Sequence, residues 1–152
     1  MGYRILLFLI VNFTALVIGG LFTQPGASSD WYLSLTKAPW TPPGWVFGAA
    51  WTTIMICFAV YMALATKGVK RVGVLMTLFT IQWILNVLWN PVFFYFHEVL
   101  TGLMIISALT IVIAILLVRY WSDLKLKSIL ILPYLIWLLI ATSLNWYIME
   151  NN

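Results

Sequence analysis

The chain has 152 residues, of which 64% are hydrophobic and only 8% are charged, and its mean hydropathy is +1.04. A soluble domain carries about 25% charged residues, so this composition excludes an ordinary soluble enzyme and indicates an integral membrane protein. The net charge of +4 is no evidence for a nucleic acid partner, and the single cysteine, Cys57, excludes an intrachain disulfide and a thiolate metal cluster.

Five apolar runs are long enough to cross a membrane, which takes roughly 20 residues of helix. They cover residues 5–22, 45–65, 72–96, 99–118 and 129–149, and we number them spans 1 to 5. Span 1 is longer than the apolar part of a signal peptide, about 7–15 residues, so we expect it to be retained. The sequence predicts an all-α bundle of five transmembrane helices, a single domain over residues 1–152 with one long loop at 23–44.

The distribution of charge predicts the orientation of this bundle. Lys37 is the only basic residue on the side of the membrane that holds the 23–44 loop. The seven basic residues on the opposite side are Arg4, Lys67, Lys70, Arg71, Arg119, Lys125 and Lys127. Because basic residues accumulate in cytoplasmic loops, we expect a cytoplasmic N-terminus, an external C-terminus and a multi-pass protein of the inner cell membrane.

Polar and aromatic side chains recur at helical spacing on three spans. The stripes are Trp51, Met55, Phe58 and Met62 on span 2; Gln82, Asn86, Trp89, Asn90 and Phe93 on span 3; and Tyr134, Trp137, Ala141 and Asn145, with Leu144 beside it, on span 5. Residues at such spacing share one helix face, and an amide exposed to lipid is costly, so the stripes are predicted to face the interior.

Two interpretations of these stripes remain open. Four tryptophans lie deep in the apolar runs, Trp51, Trp83, Trp89 and Trp137, and they suggest a cavity lined with rings that holds a flat apolar ligand. The alternative is that the rings are ordinary packing and the asparagines link helices, each contributing roughly 1 kcal/mol. Three stripes that share the outer half of the bilayer favour a binding site.

The 23–44 loop is rich in proline and tryptophan, a composition unusual for a simple connector. Its distinctive residues are Trp31, Pro39, Trp40, Pro42 and Pro43. Prolines fix the backbone angle φ and stiffen the chain, so the loop is interpreted as a lid over the outer mouth of the bundle. An aromatic belt at the membrane surface is the alternative. Thr41 is the expected N-cap of the second span.

Three motifs resemble the translocator protein family, also called the tryptophan-rich sensory protein or peripheral-type benzodiazepine receptor family. They are Trp31-Tyr32-x-x-Leu35-x-Lys37-x-Pro39-Trp40-x-Pro42-Pro43-x-x-x-Phe47-x-x-x-Trp51; Gln82-Trp83-x-Leu85-Asn86-x-x-Trp89-Asn90-Pro91-x-Phe93-Phe94; and Pro133-Tyr134-Leu135-x-Trp137 followed by Ala141-Thr142-x-Leu144-Asn145. Together they extend over most of the chain.

The resemblance implies a fold of five membrane helices, often a homodimer, with a pocket beneath the first loop. In the family this pocket accepts porphyrins such as protoporphyrin IX and haem, as well as isoquinoline and benzodiazepine drugs, as ligands rather than required cofactors. The matching pocket positions are Tyr32, Trp51, Asn86, Trp89, Trp137, Ala141 and Leu144. In animal members the sterol pattern ends in a basic residue, and no basic residue follows Tyr147 here, which favours a bacterial member.

Three functions follow as hypotheses. The first is a tetrapyrrole receptor, sensor or carrier. The second, an enzyme that degrades protoporphyrin IX with light and oxygen, would use Trp31 and Trp137, although the chain has no ordinary catalytic constellation and a single histidine, His97. The third, a proton-coupled exporter, is disfavoured because such transporters carry an ionisable residue within the membrane, and the carboxylates all lie in loops or ends: Asp30, Glu98, Asp123 and Glu150.

Overall fold

The computed structural model describes residues 1–152 and contains helices but no strands. In chain order the helices are α1 (Gly2–Ala27), α2 (Asp30–Ser34), α3 (Gly44–Gly68), α4 (Val72–Phe94), α5 (Val99–Leu124) and α6 (Leu132–Asn151), with a 3-10 segment (Lys125–Ile131) between α5 and α6. Four helical stretches are long and apolar enough to cross a membrane, and the last, Val99–Asn151, contains both α5 and α6. The predicted all-α membrane bundle is confirmed.

The long stretch Val99–Asn151 folds back on itself. Lys125 has a positive φ of 50°, which ends α5. Beyond the turn, Thr142 on α6 shares a hydrogen bond of 3.3 Å with Thr110, and Asn145 Nδ2 donates to the Val99 carbonyl at 3.0 Å. Residues later in α6 therefore contact residues earlier in α5, so the two helices are antiparallel. The bundle thus has five long helices.

The observed helix ends differ from the predicted ones. The predicted ends lie where each apolar run stops, whereas the backbone hydrogen bonds of the helices continue beyond these runs. Helix α1 therefore extends through Pro25 to Ala27, and α5 extends to Leu124. The short helix α2 was not predicted; Ser29 caps it by accepting a hydrogen bond from the Tyr32 N–H. Thr41 is not the N-cap of α3, because its hydroxyl donates back to the Ala38 carbonyl and the helix begins after Pro43.

Helix packing buries the polar groups of the spans, as predicted. Helix α1 packs on α3 and α4, α4 packs on α5, and α6 packs on α5 and α3. Asn12 Nδ2 donates to the Met55 carbonyl at 3.2 Å, and Tyr134 Oη donates to Gln82 Oε1 at 3.0 Å. These bonds satisfy groups that would be costly in hydrocarbon, so each polar pair fixes which faces of two helices meet.

Candidate ligand-binding site

Helices α4, α5 and α6 meet at a hydrogen-bonded link near the C-terminal ends of α4 and α6 and the N-terminal end of α5. Trp89 Nε1 donates to Asn145 Oδ1 at 3.2 Å, while Asn145 Nδ2 donates to the Val99 carbonyl. The Trp89 ring also stacks on Phe93, with centroids 5.3 Å apart and an interplanar angle of 14°. Two predicted site residues, Trp89 and Asn145, are therefore brought together by direct contact.

A second cluster joins α3 to α6. The ring of Trp51 meets Tyr134 edge to face at 5.9 Å, and the ring of Phe47 meets Trp137 edge to face at 5.3 Å. Such edge-on pairs are a favourable arrangement of aromatic rings. The predicted residue Met55 is buried on α3, one helical turn beyond Trp51.

One predicted site residue, Trp137, has a buried polar group without a partner, and a second, Asn86, has a side-chain amide that forms no hydrogen bond within the protein. Trp137 is 6% exposed, and its indole N–H makes no hydrogen bond. Asn86 is 8% exposed; its backbone carbonyl accepts a bond from Asn90, but its side-chain amide makes none. Ala141 and Leu144 are also buried on α6, one and two turns beyond Trp137. The α4 and α6 faces thus carry hydrogen-bonding capacity that the protein does not use.

Two residues expected to face the site face α1 instead. The Asn90 side chain accepts a hydrogen bond from Thr23 Oγ1 at 2.6 Å and lies against Gly19. Trp83 Nε1 donates to the Val11 carbonyl at 2.9 Å. Helical spacing could not predict these contacts with α1, because residues within one turn of α4 contact different neighbouring helices. Asn90 and Trp83 hold α1 in place.

Two grooves on the bundle have volumes of about 360 Å³ and about 350 Å³, and the cavity between the tryptophans stays a prediction. The first is lined by Trp40, Leu139, Thr142, Ser143, Trp146 and Tyr147; the second by Val46, Ala49, Ala50, Thr53, Ile54, Pro133, Ile136 and Trp137. Neither is enclosed by Trp51, Trp89 and Trp137 together. The second groove runs between α3 and α6 and reaches Trp137.

The first part of the long loop packs on the end of α4. Trp31 stacks on His97 with centroids 4.0 Å apart and an angle of 15°, and Tyr32 packs on Phe94 at 5.5 Å. Burial raises the pKa of the Tyr32 phenol. Lys37 Nζ lies 4.7 Å from the centre of the Tyr32 ring. Trp31 and Trp137, the two candidates for photo-oxidation, therefore lie in separate clusters.

The last part of the loop is fastened to α6. Trp40 Nε1 donates to Ser143 Oγ at 3.1 Å, and its ring meets Tyr147 edge to face at 5.4 Å. The Thr36 N–H donates to Asn152 Oδ1 at 2.8 Å, and Asn152 Nδ2 donates to the Thr36 carbonyl at 3.3 Å. The loop thus lies across the C-terminal ends of α4 and α6. Sequence reasoning missed Ser143 and Asn152, because their partners lie more than 100 positions away and no local pattern marks them.

Residues 7–150 match the TspO/MBR family. The chain belongs to this family. It is 37% identical over 145 residues to the tryptophan-rich protein TspO of Archaeoglobus fulgidus, covering 94% of each chain. It is 33% identical to Protein CrtK of Rhodobacter capsulatus (88% of this chain and 83% of that one) and 30% identical to the translocator protein of Homo sapiens (89% and 82%).

The TspO/MBR match covers the site described above. The family resemblance predicted from the motifs is confirmed, and with it the assignment of the chain to a family of membrane proteins with sensory and translocator members. The matched residues include both clusters on α6 and the whole loop. Asn152, which holds Thr36, lies just beyond the matched segment.

Proposed function

We propose that this TspO/MBR protein is a receptor, sensor or carrier of the cell membrane that binds a flat tetrapyrrole, such as protoporphyrin IX or haem. The proposed site lies beneath the loop, between α3, α4 and α6. The observation that carries the proposal is the buried indole N–H of Trp137, which has no acceptor in the protein.

A buried donor without a partner costs roughly 1–3 kcal/mol, so an acceptor from a ligand would recover this free energy. The amide of Asn86 offers further unused donors and an acceptor on the facing helix. A porphyrin carries carboxylates at one edge and a flat aromatic face, which matches polar groups set among rings. The aromatic rings of Phe47, Trp51 and Trp89 would pack against that face.

Binding at this place requires the rings to separate. Phe47 and Trp137 are in contact, as are Trp51 and Tyr134. The groove between α3 and α6 already reaches Trp137 and is bordered there by the small residues Ala49 and Ala50. A ligand entering at this seam would replace ring-to-ring contacts with ring-to-ligand contacts, so the area of aromatic contact is largely conserved.

The experiment is a titration of the purified protein with protoporphyrin IX, followed by quenching of tryptophan fluorescence. Trp137→Phe removes the unpartnered donor and should weaken binding about tenfold, the effect of roughly 1.4 kcal/mol. Trp83→Phe is the matched control, since it makes the same substitution at a tryptophan that faces α1, and its affinity should equal that of the unsubstituted protein. Absence of quenching, or equal weakening by both variants, would contradict the proposal.

A further inference from the structure

The part of the loop between α2 and α3, residues 35–43, crosses the outer end of the bundle without helical structure, and we call it the strap. It contains three prolines, Pro39, Pro42 and Pro43, which restrict the backbone. A stiff segment of this kind moves as a unit when one of its attachments is released. The two attachments of the strap differ in strength.

The attachment to α4 is extensive and buried. Trp31 and Tyr32, just before the strap, pack on Phe93 and Phe94, which are 2% and 8% exposed. Gly26 lies so close to Phe94 that a Cβ atom at this position would overlap the Phe94 side chain. This end is therefore continuous with the packing of α1 on α4, and releasing it would expose several aromatic rings.

The attachment to α6 consists of hydrogen bonds at the surface of the protein and one ring contact, between Trp40 and Tyr147, and Ala38 is the buried residue of the strap. The hydrogen bonds between Thr36 and Asn152 are on the surface, and so is the bond from Trp40 Nε1 to Ser143 Oγ. Trp40 itself is 54% exposed. The hydrogen bonds between Thr36 and Asn152 lie at the end of α6, where water can replace them at little net cost in free energy, so this end needs less free energy to open than the buried α4 end.

We propose that the strap opens at α6 while its α4 end stays attached, and that Asn152 and Ser143 are positioning residues that hold it closed. Opening at α6 would lift the strap away from this helix, which carries both Ser143 and Trp137. In a protein that binds the proposed ligand, this movement would set the rates of entry and exit. That last step rests on the proposed function, whereas the opening itself does not.

Trypsin can measure the opening without any ligand. Lys37 lies within the strap and is the only lysine or arginine in the 23–44 loop. Its side chain is held by the Leu33 and Leu35 carbonyls and by the Tyr32 ring. A protease must bind several residues in extended form, so cleavage after Lys37 reports the population of the opened strap. The fragment of residues 1–37 identifies this cut by mass.

Two of the variants, Asn152→Ala and Asn151→Ala, form a matched pair. Asn152→Ala removes both bonds to Thr36, while Asn151→Ala removes a side chain that only bonds the Tyr147 carbonyl of its own helix. Ser143→Ala removes the acceptor of Trp40. We expect cleavage after Lys37 to be on the order of fivefold faster in Asn152→Ala and in Ser143→Ala, and unchanged in Asn151→Ala.

A fourth variant separates the two ends of the strap. His97→Ala removes the ring stacked on Trp31 at the α4 attachment. If the α6 end opens first, His97→Ala should change cleavage less than Asn152→Ala does. Faster cleavage in His97→Ala than in Asn152→Ala, or unchanged cleavage in both Asn152→Ala and Ser143→Ala, would overturn the proposal.

Binding kinetics then connect the strap to the ligand. If protoporphyrin IX binds, Asn152→Ala should accelerate association and dissociation together and leave Kd nearly constant. A changed Kd together with an unchanged rate of cleavage after Lys37 would also contradict the proposed opening of the strap. If protoporphyrin IX does not bind, the proposed function fails, and the cleavage measurements still decide how the strap opens.

Discussion

The indole of Trp89 on α4 donates its hydrogen bond to Asn145 on α6, at 3.2 Å. Asn145 is 3% exposed, and through its amide it also reaches the Val99 carbonyl at the start of α5. One side chain thus links three helices at the end of the bundle that the loop covers. The link orients Trp89 beside Phe93, under the first part of the loop.

Asn145→Leu should destabilise the protein by about 1–3 kcal/mol. The substitution introduces an apolar side chain of similar size but leaves the half-buried Trp89 N–H without an acceptor, and an unsatisfied donor costs about that much. Reversible unfolding in mixed micelles is the measurement. Asn151→Ala is the control, because its side chain lies on the surface; an equal loss of stability in both variants would show that the link is unimportant.

Neighbouring glycines on α1 should respond in opposite directions to alanine. A Cβ atom at Gly19 would lie 2.6 Å from Asn90 Nδ2, whereas a Cβ atom at Gly20 meets nothing within 4 Å. The Asn90 amide is held in place because its Nδ2 donates to the Asn86 carbonyl and its Oδ1 accepts from Thr23. Gly19→Ala is expected to cost about 1–3 kcal/mol. Gly20→Ala should be neutral or stabilising by up to about 1 kcal/mol. Thermal unfolding of the two variants tests this; similar melting temperatures would refute the close packing of α1 on Asn90.

Two tryptophans of similar depth should differ in their contribution to stability. Trp83→Phe breaks a hydrogen bond to the Val11 carbonyl, whereas Trp137→Phe removes an N–H that is buried without a partner. Both variants lose a similar volume of aromatic ring. In the unliganded protein we expect Trp83→Phe to be more destabilising by about 1 kcal/mol. A larger loss in Trp137→Phe would mean that its N–H is already bonded.

Alkaline pH should loosen the first part of the loop through Tyr32. Burial raises its pKa above the ordinary value of about 10, so folding favours the neutral phenol. This contribution to stability is fully present below about pH 10 and is lost as the pH rises through the higher pKa of the folded state. Stability measured across this range should fall less steeply in Tyr32→Phe. Tyr3→Phe, at a residue 77% exposed, is the control and should behave like the parent protein.

Composition, hydropathy and motif spacing were enough to predict the fold class, the number of spans and the family. Length and hydropathy suffice for the spans because a helix in lipid must satisfy its own backbone, and the position of each polar side chain shows which face avoids lipid. The motifs around Trp31, Asn86 and Trp137 were sufficient for the family. The direction of insertion follows from the distribution of lysine and arginine and stays a prediction.

The neighbour that each polar residue meets depends on the packing of the helices, and no local pattern in the sequence shows it. Asn86 and Asn90 are one turn apart on α4, yet the second bonds Thr23 of α1 and the first bonds nothing through its amide. Helical periodicity assigns a face but not the helix opposite it, because that depends on how all five long helices pack. The hydrogen bond between Thr36 and Asn152 could not be predicted either, since the two residues are 116 positions apart and meet only when α6 has folded beside the loop.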